Sequence, residues 1–259
     1  MKDLVKSSVY QLLRSKVVLI SVLIIFFTEM ASLLVGLFVD NITTMGQYIV
    51  ENSGLEMTMC AIAAVFSAVV IVGGDFHDKT ANYEIMSGHT RKNIYFGKAV
   101  LGILIGCAAY VVTFLIPILI GIGMTGFGNV ISGREALIRF LISILVTARI
   151  ICVFICITYM VKNHLIVMAF SGFYFMFFPA LTMYFEGNKS IILGLTSYIR
   201  LSDFLSWITY SVGEELEIIN IYDARLSGAD IMGLILSSLL IGIFTLLIGY
   251  SFFKRDDIS

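Results

Sequence analysis

Six apolar runs constrain this chain more than any other feature: 17–39, 57–74, 99–123, 140–161, 165–185 and 231–253. A helix crosses a bilayer core about 30 Å thick with roughly 20 apolar residues. Inside lipid every backbone polar group needs an internal partner, so such runs fold as helices. Composition agrees: 59% of residues are hydrophobic, 14% are charged and the mean hydropathy is +0.97. A soluble domain carries roughly 25% charged residues. The expected fold is all-α and integral to the membrane, one six-helix transmembrane domain over 17–259 behind a leader at 1–16. The first run is too long in its apolar stretch, and lacks an A-x-A-like site after it, to read as a cleaved signal peptide. No basic tail is present, so nucleic acid is not an expected partner.

Charge sets the orientation. Basic residues concentrate in cytoplasmic segments. Of the 17 Lys and Arg residues, eleven fall in alternate segments: Lys2, Lys6, Arg14, Lys16, Lys79, Arg91, Lys92, Lys98, Lys162, Lys254 and Arg255. Five fall in the others, Arg134, Arg139, Lys189, Arg200 and Arg225, and Arg149 lies within a span. The protein is thus expected in the cell membrane, multi-pass, with both termini cytoplasmic. Even parity argues against a seventh span at 191–212, which holds Arg200 and Asp203. That segment reads as short helices dipping into the outer interface, with Tyr198, Trp207 and Tyr210 at a depth that suits aromatic rings with polar tips. In the leader, Leu4, Val5, Val9, Leu12 and Leu13 share one half of a helical wheel and Asp3, Lys6, Ser7, Gln11 and Arg14 the other. This predicts an amphipathic helix on the cytoplasmic leaflet, the alternative being a solvated leader.

Motifs for catalysis are missing. There is no HExxH, GxSxG or Walker A sequence. Gly97-Lys98 resembles a phosphate loop only in passing, since Ala99 follows and Lys92 stands where the first glycine belongs. His77, His89 and His164 fall in cytoplasmic loops on this topology. Cys60, Cys107, Cys152 and Cys156 lie in apolar runs and read as small hydrophobic residues. Cys152 and Cys156 share a helix face without His or carboxylate neighbours in sequence, so no metal site is expected. Pro117 and Pro179 fall inside spans and predict kinks. Gly102 and Gly106 form a GxxxG that permits close helix contact.

The longest cytoplasmic loop, 75–98, is the most informative stretch. Asp78 or Thr80 is placed to cap a short helix through Met86, Ser87-Gly88 to end it, and Thr90 to cap the third span. A short polar helix between two spans suits docking on a cytoplasmic partner, the alternative being a plain hairpin. This loop resembles the signature region of ABC-2-type permeases, in which an acidic residue ends span two, a Gly-Thr-like pair follows, and an Arg-containing turn leads to Gly-Lys at span three. Asp75, Lys79-Thr80, Arg91 and Gly97-Lys98 stand at those places. Lys79 replaces the usual glycine, and the turn lacks the proline often found before the arginine. The ending 249–258, Gly-Tyr-Ser-Phe-Phe-Lys-Arg-Asp-Asp-Ile, is similar to that family's aromatic-basic-Asp-Ile close. The resemblance implies a permease working with a second permease copy or homologue and with separate cytoplasmic P-loop ATPase subunits. ATP and Mg would bind the partner, and this chain would hold no cofactor and no catalytic residue. It further implies that Asp75, Asp78, Lys79, Thr80, Tyr83, Glu84, Arg91 and Lys98 couple to the ATPase. The other reading is an ion-coupled secondary transporter or channel. Such proteins show intramembrane charge clusters or inverted repeats, and the spans as bounded hold one acid, one base and no repeat.

Two charge features remain. Glu29 and Arg149 each lie twelve residues from the cytoplasmic end of their spans, about 18 Å deep at 1.5 Å per residue. A lone charge there costs at least about 2.5–3.5 kcal/mol, so the two are expected to pair, the alternative being separate wet cavities. The outer segment 186–230 holds seven acids and three bases, with Glu214, Glu215 and Glu217 clustered. It reads either as an acidic vestibule for a cationic peptide or as a solvated loop. Few polar groups in the spans point to an amphipathic or hydrophobic cargo, and small permeases of this family often serve antimicrobial-peptide export.

Overall fold

The computed structural model describes residues 16–38, 42–77, 86, 88, 90–129, 132–185 and 228–255. The leader before Lys16, the coupling residues Asp78, Lys79, Thr80, Tyr83 and Glu84, and the segment 186–227 with Glu214, Glu215 and Glu217 lie outside them. The described residues form six long helices: α1 Lys16–Phe38, α2 Met45–His77, α3 Arg91–Thr125, α4 Gly133–Val161, α5 His164–Phe185 and α6 Gly228–Arg255. No strand occurs among the described residues.

Five of these helices are long and apolar enough to cross a membrane, over Val18–Phe38, Glu56–Gly74, Arg91–Thr125, Ala136–Val161 and Ile231–Arg255. In α5 the described apolar stretch is the shorter His164–Phe175. The chain is a multi-pass membrane protein.

Three helices start well before the apolar runs that announced them: α2 at Met45, α3 at Arg91 and α4 at Gly133. Hydropathy marks only the part of a helix that lies in hydrocarbon, and the backbone bonding continues into the interface. The early start of α3 has a local cause. Thr90 is extended (φ −71°, ψ 144°), and its hydroxyl accepts from the Asn93 amide at 3.3 Å. This is the cap expected from sequence, satisfying one of the orphan donors of the first turn. Pro117 and Pro179 both lie inside helices, in α3 and α5.

α2 is the central helix, packed against α1, α3, α4 and α5, while α6 lies mainly along α4. Burial follows that arrangement: 67% of the apolar window of α2 and 61% of that of α4 are buried, against 17% for α1 and 12% for α6. Small residues make the center possible. Ala61, Ala64 and Ala68 of α2 are fully buried, and Gly102 and Gly106 of α3 lie over Ala64 and Ala68. A methyl at Gly106 would stand 2.8 Å from the Ala64 carbonyl oxygen and 2.7 Å from Ile151 Cδ1. The GxxxG read from sequence is thus a backbone-to-backbone contact. Helix association in lipid lacks a hydrophobic drive, so dispersion from such close approach carries it. Outward faces are apolar: Leu23 and Phe27 on α1, Ile243 and Phe244 on α6 are each more than half exposed. Buried hydroxyls of Ser67, Thr113, Thr158 and Ser171 bond to carbonyls of their own helices at 2.7–2.9 Å.

Candidate functional site

Polar groups inside this bundle gather in two places. The first is a file of side chains running from α1 through α2 and α3 to α4. Glu29 and Ser32 are one turn apart on α1 and face α2. Across from them stand Glu56 and Cys60, one turn apart on α2. The Ser32 hydroxyl donates to Glu56 Oε1 at 3.2 Å, and Glu29 bonds with the Cys60 thiol. Tyr48, two turns earlier on α2, donates to Glu56 Oε1 as well and lies 3.2 Å from Ser32 Oγ. Both carboxyl groups are buried, with Glu29 and Glu56 each 5% exposed. Cys60 also bonds Thr113 of α3. One helix turn from Thr113, the Tyr110 phenol donates to Ser143 of α4 at 2.8 Å, and Ser143 donates to the Phe140 carbonyl at 2.7 Å. Thr147 of α4 is wholly buried, with its hydroxyl against the Tyr110 phenol.

An apolar cluster of Leu33, Ile42, Met45, Tyr48 and Ile49 seals the end of this file. Backbone bonds hold the seal: the Met45 amide donates to the Gly126 carbonyl at 3.1 Å and the Gly46 amide to Phe127 at 2.8 Å. Gly126 and Gly128 take positive φ there, 77° and 73°, which glycine adopts without strain.

The second place is the opposite end, where the 75–98 loop meets the bundle. Tyr95 of α3 is fully buried among Tyr159 of α4 and Tyr250 and Phe253 of α6, at ring separations of 4.5, 5.5 and 5.9 Å. Its hydroxyl donates to the Leu246 carbonyl at 2.7 Å, and Gly249 leaves the room this requires. Arg91 donates to the Lys254 carbonyl at 3.1 Å, and Lys98 is buried one turn beyond Tyr95. The start of the loop is fixed as well. A methyl at Gly73, near the end of α2, would lie 2.6 Å from His164 Cβ and 3.1 Å from Thr158 Cγ2. There the turn between α4 and α5 is set by Lys162 at φ 58° and by Asn163, whose carboxamide oxygen accepts from the Leu165 amide at 3.0 Å. Both feet of the loop therefore stand on other helices. Of the coupling residues expected from sequence, the structure places Arg91 and Lys98 at this junction, and Asp75 belongs to the end of α2.

Two expectations need correction. Glu29 and Arg149 are not paired. Glu29 has Cys60 and Glu56 of α2 as its neighbors, whereas Arg149 is buried on α4 beside Tyr174 of α5. Equal depth put them at one level, but α1 packs chiefly on α2 and α3, so the two side chains point into different interfaces. The expectation of a single acid in the spans also fails. Glu56 joins Glu29 as a second buried carboxyl, missed because the apolar run was bounded at 57. Met45, Tyr48, Asn52 and Glu56 recur at helical spacing, and that was the available signal. Among the described residues no group of His, Cys, Asp and Glu is arranged to hold a metal ion. Comparison with protein-family models and with characterized proteins finds no match.

Proposed function

We propose that this chain is the permease subunit of an ATP-driven exporter, with six spans, both termini cytoplasmic, and ATP and Mg bound by separate P-loop ATPase subunits. The observation that carries the reading is the anchoring of the 75–98 loop. One foot packs on the α4–α5 turn through Gly73, and the other is gripped by the C-terminal aromatic residues through Tyr95. Helix ends held this way, that of α2 and the start of α3, transmit displacement instead of absorbing it, because packed interfaces switch between discrete arrangements. The two stretches that resemble ABC-2 permeases, 75–98 and 249–258, are the ones that meet at this junction. A second permease copy completes the membrane unit. The cargo is an amphipathic molecule such as a peptide, cationic if the acidic segment with Glu214, Glu215 and Glu217 draws it in.

The buried Glu29 and Glu56 favor a second reading, ion-coupled transport without an ATPase, since intramembrane acids mark ion and proton routes. Inverted membrane vesicles separate the two. Uptake of a fluorescent amphipathic cationic peptide should require ATP and persist when the proton gradient is collapsed. Uptake that follows an imposed pH gradient without ATP would replace the first reading with the second.

A further inference from the structure

The Glu29–Glu56 neighborhood has an unbalanced proton inventory. Two carboxyl groups present four oxygens. Among the described residues the donors that reach them are the Tyr48 phenol, the Ser32 hydroxyl and the Cys60 thiol, one proton each. The Thr113 hydroxyl, shared between Cys60 and the Ala109 carbonyl at 2.9 Å, bonds to neither acid. No Lys, Arg or His among the described residues bonds to either acid. Two adjacent anions without a cation, sealed from one end by the Leu33–Met45 cluster, are not a stable content for a membrane interior.

We propose that Glu29 and Glu56 together form a proton-binding site, occupied by one proton while α1 lies on α2 and emptied when α1 moves away. The titratable groups facing it are Tyr48 and Cys60 from α2 and Tyr110 from α3. An added proton removes one charge and supplies the missing donor. Loss of that proton leaves two anions on facing helices, which repel each other and draw in water. The direction follows from linkage: the closed arrangement binds one more proton than the open one, so acid favors closure and rising pH opens it. The proposal stands apart from how transport is energized, and its test needs neither ATPase nor cargo.

Cys60 is the reporter, being buried against Glu29. With Cys107, Cys152 and Cys156 replaced by Ala, the purified chain in liposomes is treated with an uncharged maleimide at a series of pH values. The same series on Glu29→Gln/Glu56→Gln gives the intrinsic thiol dependence, which is divided out. One linked proton then predicts a residual rate that rises by about tenfold per pH unit through the release range. A flat residual rate overturns the proposal. Protection of Cys60 by sodium relative to choline at fixed pH also overturns it, in favor of a metal-cation site. Should the double variant fail to purify, infrared difference spectra of the unaltered protein decide. A carboxylic-acid band that titrates, and is lost in Glu29→Gln alone, supports the site, and absence of such a band at every pH refutes it.

Discussion

Replacing Gly106 with Ala tests the center of the bundle. The new methyl would lie 2.8 Å from the Ala64 carbonyl oxygen, whereas ordinary contact begins at 3.4 Å, so α3 and α2 must separate by about 0.6 Å. Ile151 Cδ1, at 2.7 Å, can swing aside, but the carbonyl belongs to a helix already packed on four neighbors. Overpacking of this kind costs about 1–3 kcal/mol. Gly123 on the same helix has nothing within 4 Å of an added methyl, so Gly123→Ala carries the helix-propensity gain without the clash. Gly102→Ala is intermediate, its nearest contact being 3.3 Å. Thermal unfolding in detergent, with Gly123→Ala as reference, should rank Gly106→Ala lowest, by about 2–4 °C for each kcal/mol. Equal midpoints for Gly106→Ala and Gly123→Ala would refute the close α2–α3 contact.

Other substitutions probe the two polar regions. Tyr48→Phe and Ser32→Ala each remove a donor from Glu56 and should cost about 1–3 kcal/mol, with the double variant less than additive, read from the same unfolding curves. Tyr95→Phe removes the bond to Leu246 while keeping the ring, so stability should fall by only about 1 kcal/mol; Gly249→Leu, which drives into the Tyr95 hydroxyl, should cost several times more in the same assay. Reversing both charges as Glu29→Arg with Arg149→Glu should express no better than the worse single variant, since the two residues occupy different interfaces; recovery on a membrane-expression assay would restore the ion pair that depth alone had suggested.

Much of the fold was legible because lipid simplifies it. An apolar run of about 20 residues leaves the backbone little choice but helix, and that placed the helices, five of them long and apolar enough to cross a membrane. Local chemistry was legible too: Thr90 caps α3 as its type and position require. What hydropathy does not encode is rotation about a helix axis. Glu29 and Arg149 matched in depth, but their partners depend on which helices adjoin, and that is decided by the small-residue contacts of Ala64, Ala68, Gly102 and Gly106. Glu56 was lost for a different reason. An acid at the edge of an apolar run reads as loop, and only the continuation of α2 back to Met45 reveals it as a core residue. The C-terminal aromatic residues were visible as a motif, whereas Tyr95 carried no signal of its own in the 75–98 loop. Their meeting is a product of antiparallel packing that no local pattern states.

The most direct test of ATPase coupling is ATP hydrolysis by the complex purified from its native membrane through a tag on this chain. The comparison is with a variant in which 78–86 is replaced by a Gly/Ser linker of equal length. Our account predicts that hydrolysis co-purifies with the unaltered chain and disappears from the variant, while both chains insert and purify in equal amount. Hydrolysis absent from the unaltered preparation, or undiminished in the variant, would contradict it.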